Sequence, residues 1–80
     1  MMDNELFIKK CKKIVNRYER DSHDLFVVWL VKAGKNNKAL IGAPKSNYYY
    51  EITYIGDENV IACDIYSLNH SENISNKELS

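Results

Sequence analysis

The sequence predicts an α+β domain in which one N-terminal amphipathic helix packs on a four-stranded antiparallel meander, with a polar C-terminal tail. Three observations predict this class. Apolar residues first recur at helical spacing, four short segments rich in β-branched and aromatic residues follow, and turn residues separate these segments. At 80 residues the chain is of a size for one domain. We expect this domain over residues 1–66 and a tail over residues 67–80 that is weakly ordered or forms a short helix.

The helix is predicted from a stripe of apolar residues near the N-terminus. Asp3 or Asn4 can cap its first turn, and acidic residues there favour the positive end of the helix dipole. We expect the helix to end near Arg20 and Asp21. The stripe consists of Phe7, Cys11, Ile14, Val15 and Tyr18.

Four strands are predicted after the linker that follows the helix. The first, over residues 25–31, is apolar without alternation, which is typical of a strand buried on both faces. A turn over residues 34–38 leads to a short second strand over residues 39–41. Residues 48–55 form the third strand, and after a hairpin loop residues 60–66 form the fourth.

The third strand alternates, which assigns its side chains to two faces. Tyr48, Tyr50, Ile52 and Tyr54 share one face, and the intervening residues share the other. One helix covers only one face of a sheet, whereas the first strand is apolar on both. Either the terminal segment folds over the second face, or that face contacts another molecule.

The charges are balanced in total but not along the chain. The chain has 11 basic and 11 acidic residues, so it is neither a bulk polycation nor an acidic mimic of nucleic acid. Ten basic and five acidic residues give residues 1–50 a charge of +5, and one basic and six acidic residues give residues 51–80 a charge of −5. Such a dipolar molecule is suited to docking on a charged partner.

No pattern of catalytic or metal-binding residues is found in the sequence. Cys11 and Cys63 lie far apart inside apolar segments, which favours two reduced core thiols over a zinc site. We therefore expect no enzymatic activity, no metal and no cofactor. Neither a signal peptide nor a membrane span is predicted, so we expect a cytoplasmic protein.

Five segments of the chain carry a family resemblance. They are ELFIKKC (5–11), VVW (27–29), NNKAL (36–40), YYEITY (49–54) followed by Gly56-Asp57, and DIY (64–66). Together they resemble a family of small uncharacterised proteins that phages and integrative elements of low-GC Gram-positive bacteria encode, and the resemblance covers roughly residues 2–70. It implies an accessory protein that acts in the cytoplasm of an infected or lysogenic host, a setting in which non-enzymatic proteins bind and block host defence proteins such as CRISPR nucleases.

The first functional hypothesis is an anti-CRISPR-like protein that binds and inhibits a host protein without catalysis. Tyrosine and tryptophan are enriched at protein interfaces, and turns and charged segments can add specificity. The expected contact residues are Trp29, Tyr48, Tyr50 and Tyr54, or else the turn residues Asn36, Asn37 and Lys38 with the basic face of the helix. A third possibility is the acidic segment with Glu51, Asp57, Glu58 and Asp64, which would occupy a nucleic-acid groove on a nuclease.

Two alternatives remain open at this point. A nucleic-acid-binding regulator would use the basic face of the helix, formed by Lys9, Lys13, Arg17 and Arg20, to contact phosphates. A small structural homodimer would instead pack its sheets face to face.

Overall fold

The computed structural model describes residues 2–19 and 24–79, and it confirms the α+β class with one N-terminal helix on a four-stranded antiparallel sheet. Helix α1 is followed by strands in the sheet order β1-β2-β3-β4, so each strand pairs with its neighbour in sequence. The elements are α1 (Asn4–Val15), β1 (Phe26–Ala33), β2 (Asn36–Gly42), β3 (Tyr48–Ile55), β4 (Val60–Ser67) and a terminal 3-10 helix (Asn76–Leu79).

Helix α1 begins at the predicted cap and ends earlier than predicted. The Oδ1 atom of Asp3 accepts a hydrogen bond from the backbone N–H of Leu6 at 2.8 Å, which satisfies one free donor of the first turn. The last residue of α1 is Val15. Hydrogen-bonded turns continue to Glu19, whose N–H donates to the carbonyl of Val15. The predicted end near Arg20 and Asp21 lies outside the described residues.

The third strand was predicted with the bounds that the structure shows, whereas the second is longer than predicted. The tight turn between β1 and β2 contains only Gly34 and Lys35, and Gly34 has a positive φ of 59°. The prediction of a turn over residues 34–38 was therefore wrong at its end, because residues 36–38 already pair with β1 and β3.

Strand β1 is an edge strand, so the prediction that it is buried on both faces was wrong. Seven of its eight residues are exposed. The pairing with β2 shifts by one residue between Val27 and Trp29, which marks a β-bulge. The run lacks alternation because the bulge inserts an extra apolar residue and because its outer face is apolar yet uncovered.

The core lies between α1 and one face of the sheet, which we call the covered face. Phe7, Cys11 and Val15 recur every four residues and point from α1 into this layer. The helix packs on the two central strands, β2 and β3. The sheet residues completely buried beneath it are Ala39, Ile41, Tyr50 and Ile52.

Both cysteines are free thiols beside this core. Cys11 is buried and Cys63 is half-buried. Burial, followed by the neighbouring Cys63, raises the pKa of the Cys11 thiol from 9.0 to about 12. Desolvation also raises the pKa of Cys63. Neither thiol is activated as a nucleophile in this setting.

The molecule is thin and broad. Its extents are 46 × 32 × 19 Å, and its radius of gyration is 15.0 Å, whereas a compact 80-residue domain has about 12 Å. The tail remains exposed over residues 67–79, including Leu68, Ile74 and Leu79. Among the described helices, none is long and apolar enough to cross a bilayer.

Candidate protein-binding surface

The face of the sheet opposite α1, which we call the open face, is rich in apolar side chains. Antiparallel alternation places these residues on the side away from the core. Its larger members are 37–53% exposed, so no described part of the chain, including the tail, covers them. These larger members are Phe26, Trp29, Val31, Tyr49, Val60 and Tyr66.

Aromatic rings gather at one end of the open face. A Cβ atom at Gly42 would lie 2.5 Å from the ring of Phe26 and 3.1 Å from the ring of Tyr49, so both rings converge over this glycine. Tyr66 is the direct partner of Tyr49 in the β3–β4 register. Side chains directly opposite each other on antiparallel strands pack together. The sheet therefore presents three neighbouring aromatic rings at this end.

The centre of the open face is polar. Lys38 Nζ lies 3.5 Å from Glu51 Oε1, and the Tyr66 hydroxyl donates to the same oxygen at 3.3 Å. The Glu51 carboxylate raises the pKa of the Tyr66 hydroxyl, so this group stays protonated and able to donate. Asp64 pairs with Glu51 across the strands, and it forms no ion pair within the described residues. The face therefore carries one more carboxylate than ammonium group.

The structure divides the predicted contact residues between the two faces. Trp29, Asn36, Lys38, Glu51 and Asp64 lie on the open face. The two acids Asp57 and Glu58 lie in the turn between β3 and β4. By contrast, the other four predicted contact residues point to the covered face, and they are Asn37, Tyr48, Tyr50 and Tyr54.

The predicted tyrosine row therefore does not share a surface with Trp29. Tyr50 is only 1% exposed and lies in the core, which excludes it as a contact residue in this fold. Tyr54 is half-buried, and its hydroxyl donates to Asn59 Oδ1 at 3.1 Å. Tyr48 remains exposed, but on the side of the helix.

The asparagines at the start of β2 support the fold. Asn37 is 1% exposed, and its Nδ2 donates to the Met2 carbonyl at 3.3 Å and to Asn4 Oδ1 at 3.2 Å. Asn36 Oδ1 accepts from the N–H of Gly56 at 2.9 Å, which joins the two hairpin turns. Asn37 therefore fixes the start of α1 on the sheet and is not available to a partner.

Sequence reasoning missed several residues of the open face. Tyr49 and Tyr66 were not selected, and neither were Phe26 and Val31. The alternation of β3 had already placed Tyr49 beside Glu51, so that signal was available. The missing information was which of the two faces the helix covers.

The basic face of the helix is largely present in the structure. Lys9, Lys13 and Arg17 are exposed, as are Lys10 and Lys12, and none of the five forms an ion pair within the described residues. The fourth predicted residue, Arg20, lies outside the described residues. Among residues 2–19 and 24–79, no three metal-ligating side chains come together.

Comparisons with known proteins identify the family but not an activity. No curated protein and no solved structure is significantly similar to the chain. A family model matches residues 4–77, from the first residue of α1 into the terminal 3-10 helix. The chain therefore belongs to DUF6275, a family of unknown function.

Proposed function

We propose that this protein is a small non-enzymatic accessory protein of a phage or mobile element, and that it inhibits a host protein by binding it through the open face. The host protein is a defence effector such as a CRISPR nuclease. The resemblance of the sequence to small proteins of phages and integrative elements supports the setting. The open face supports the binding mode.

The observation that carries the proposal is the amount of surface left uncovered. The accessible surface is 6242 Å², whereas a compact monomer of this mass exposes about 5,000 Å². The excess of roughly 1,200 Å² is larger than the area of about 800 Å² that each partner buries in a standard interface. The half-exposed apolar side chains of the open face are part of this uncovered surface. A partner on the open face would give the sheet the second layer that domains normally have.

The charges of the open face favour a basic partner over a second copy. Two carboxylates, Glu51 and Asp64, accompany one ammonium group, that of Lys38. A second copy would bring the same negative excess to the interface, and burying unpaired carboxylates is costly. A surface with lysines or arginines between apolar residues would instead neutralise Asp64. Grooves that bind nucleic acid have this character.

The test is a capture experiment with a matched pair of variants. Tagged wild-type protein is incubated with host lysate, and the retained protein is purified and assayed with increasing amounts of this chain. We expect 1:1 binding and loss of the partner's activity at stoichiometric amounts. Replacing Trp29, an aromatic anchor on the open face, by alanine should weaken binding about tenfold or more.

The control variant is Leu6→Ala, which removes an apolar side chain of similar exposure from α1, on the other side of the sheet. It should bind like the wild type. Equal binding by Trp29→Ala and wild type, or a partner whose activity is unaffected, would contradict the proposal. Sedimentation provides a further check, because a dimer that Trp29→Ala dissociates would assign the open face to a second copy.

A second candidate function is nucleic-acid binding through the helix, because the lysines of α1 form no ion pair with another described residue and could contact phosphates. The experiment is a mobility shift at about 50 mM salt with Lys9, Lys13, Arg17 and Arg20 changed to glutamate. This candidate requires a complex with the wild type that weakens steeply with salt and is lost in the variant. A wild-type protein that forms no complex would rule it out.

A further inference from the structure

A groove lies on the helix side of the sheet, at the aromatic end. It has a volume of about 240 Å³ and is lined by Tyr18, Glu19, Tyr48, Tyr50 and Ile65. We call it the tyrosine groove. Its residues come from the turns after α1 and from the ends of β3 and β4 that meet there. The open face and the tyrosine groove are therefore on opposite sides of the sheet.

The carboxylate of Glu19 is fixed in this groove. Its Oε2 atom accepts hydrogen bonds from the hydroxyl groups of Tyr50 and, at 3.1 Å, of Ser46. Burial and this carboxylate together raise the pKa of Tyr50, so its hydroxyl remains a donor. The other oxygen, Oε1, receives no hydrogen bond from any described residue. The carboxylate is thus held in place, and within residues 2–19 and 24–79 its second oxygen is not used as an acceptor.

Three tyrosines line the groove together with Glu19. Tyr18 stacks on Tyr50 with ring centroids 5.7 Å apart and planes at 28°. Tyr18 and Tyr48 line the groove and are about half exposed, so both residues remain accessible to a ligand. No described lysine or arginine forms an ion pair with Glu19. A negatively charged group among aromatic rings is complementary to an organic cation.

We propose that the tyrosine groove binds the guanidinium group of an arginine side chain of a protein that docks on the helix side of the sheet, at a site separate from the open face. A guanidinium group has planar N–H donors that can reach Glu19 Oε1, and its face stacks on tyrosine rings. A lysine ammonium group is more strongly hydrated and has no flat face. Because this site and the open face lie on opposite sides of the sheet, the proposal does not rest on the proposed function.

The preference is tested without the partner. Wild-type protein is titrated with N-acetyl-arginine amide and, separately, with N-acetyl-citrulline amide, which is uncharged and has nearly the same shape. Chemical shifts of the tyrosine rings are followed by NMR. We expect saturable shifts at Tyr18 and Tyr48 with a dissociation constant in the millimolar range for the arginine probe, and at least tenfold weaker binding of the citrulline probe.

Variants test whether arginine binding depends on Glu19 and on the tyrosine rings of the groove. Glu19→Gln keeps an oxygen acceptor for Tyr50 and Ser46 but removes the charge, so it should reduce arginine binding at least tenfold. Glu58→Gln removes a charge from the turn between β3 and β4 and should bind like the wild type. Because Glu19→Gln could also disturb the fold, Tyr18→Leu provides a second, more exposed change with the same expected loss.

Two results would overturn the proposal. The first is equal binding of the two probes to the wild type. The second is arginine binding that appears only when Arg20, which follows Glu19 in the sequence, is changed to alanine, because the chain's own arginine would then occupy the groove. Failure to capture a host protein would leave the probe result standing, so the two proposals fail independently.

Discussion

The two faces of the sheet contain similar residues, but one face is buried under α1 and the other is exposed. On the covered face Ala39, Ile41 and Ile52 are completely buried, whereas on the open face Trp29 and Val31 are 37% and 53% exposed. The same four strands supply both faces. Burial here therefore depends on where α1 packs and not on how apolar a strand is.

The central and outer strands also differ on the covered face itself. Helix α1 contacts β2 and β3, and the residues of β4 on this side, Ile61, Cys63 and Ile65, are only partly buried or exposed. One 12-residue helix is too narrow to cover four strands. The fold consequently has a small core and two places, the open face and the tyrosine groove, where a second molecule could pack.

The largest expected effect comes from removing the main side chain of the helix. Phe7 is completely buried, so Phe7→Ala should lower the free energy of unfolding by about 3–5 kcal/mol. Trp29→Ala on the open face should cost about 1 kcal/mol, since its side chain is already partly in water. Urea denaturation measures both. Equal losses would mean that the open face is as important for folding as the covered face.

A smaller effect is expected from the same substitution at two positions. Val15→Thr places a hydroxyl group in the core and should cost about 1–3 kcal/mol. Val31→Thr places it on an exposed position of β1 and should change the free energy of unfolding by less than about 0.5 kcal/mol. Thermal unfolding of the two variants gives the comparison. A large loss for Val31→Thr would show that the open face is covered in solution.

Alkaline pH should lower the free energy of unfolding, because it ionises the Cys11 thiol in the core under the covered face. The pKa of Cys11 is 9.0 when unperturbed and about 12 in the fold. The unfolded chain therefore loses the Cys11 proton at a lower pH than the folded chain. The contribution of the protonated thiol to the free energy of unfolding is fully present below pH 9.0 and declines as pH rises towards 12.

The Cys11 prediction is tested by measuring the free energy of unfolding of the wild type and of Cys11→Ala between about pH 8 and pH 10. The wild type should lose stability more steeply, by up to about 1.4 kcal/mol per pH unit above pH 9. Tyr50, whose pKa is also raised, titrates in both proteins and cancels in the comparison. Parallel curves would contradict the assignment of this effect to Cys11.

The smallest expected effect concerns the cap of α1. Asp3→Ala removes the acceptor for the N–H of Leu6 and should cost about 1 kcal/mol. Asp3→Asn keeps an acceptor and serves as the control, with a loss of a few tenths of a kcal/mol. Since the helix covers only one face, the exposure of Trp29 measured by fluorescence should not change in either variant.

Much of the fold could be predicted because it depends on local patterns. The spacing of Phe7, Cys11 and Val15 gave the buried stripe of α1, and Asp3 was correctly recognised as a possible cap. The bounds of β3 and its alternation were also correct. These features follow from helical and strand geometry, which acts over a few residues.

The candidate contact residues were harder to predict. The predicted row of Tyr48, Tyr50 and Tyr54 lies on the side of the helix, and Tyr50 is in the core. Asn37 looked like a turn residue, but it is buried by its contact with the N-terminus. Both errors have the same origin, because Tyr50 and Asn37 are held by contacts with residues more than 30 positions away in the sequence.

The sequence by itself determined the order of the helix and the four strands, the buried stripe of α1 and the two faces of β3. Only the tertiary structure decided which face α1 covers, that β1 is an edge strand with a bulge, and that Tyr18, Glu19 and Tyr50 meet in one groove. The period of a helix or strand fixes which of its own side chains lie on the same face. The choice between two apolar faces depends on how the helix packs across the sheet, which no local pattern contains.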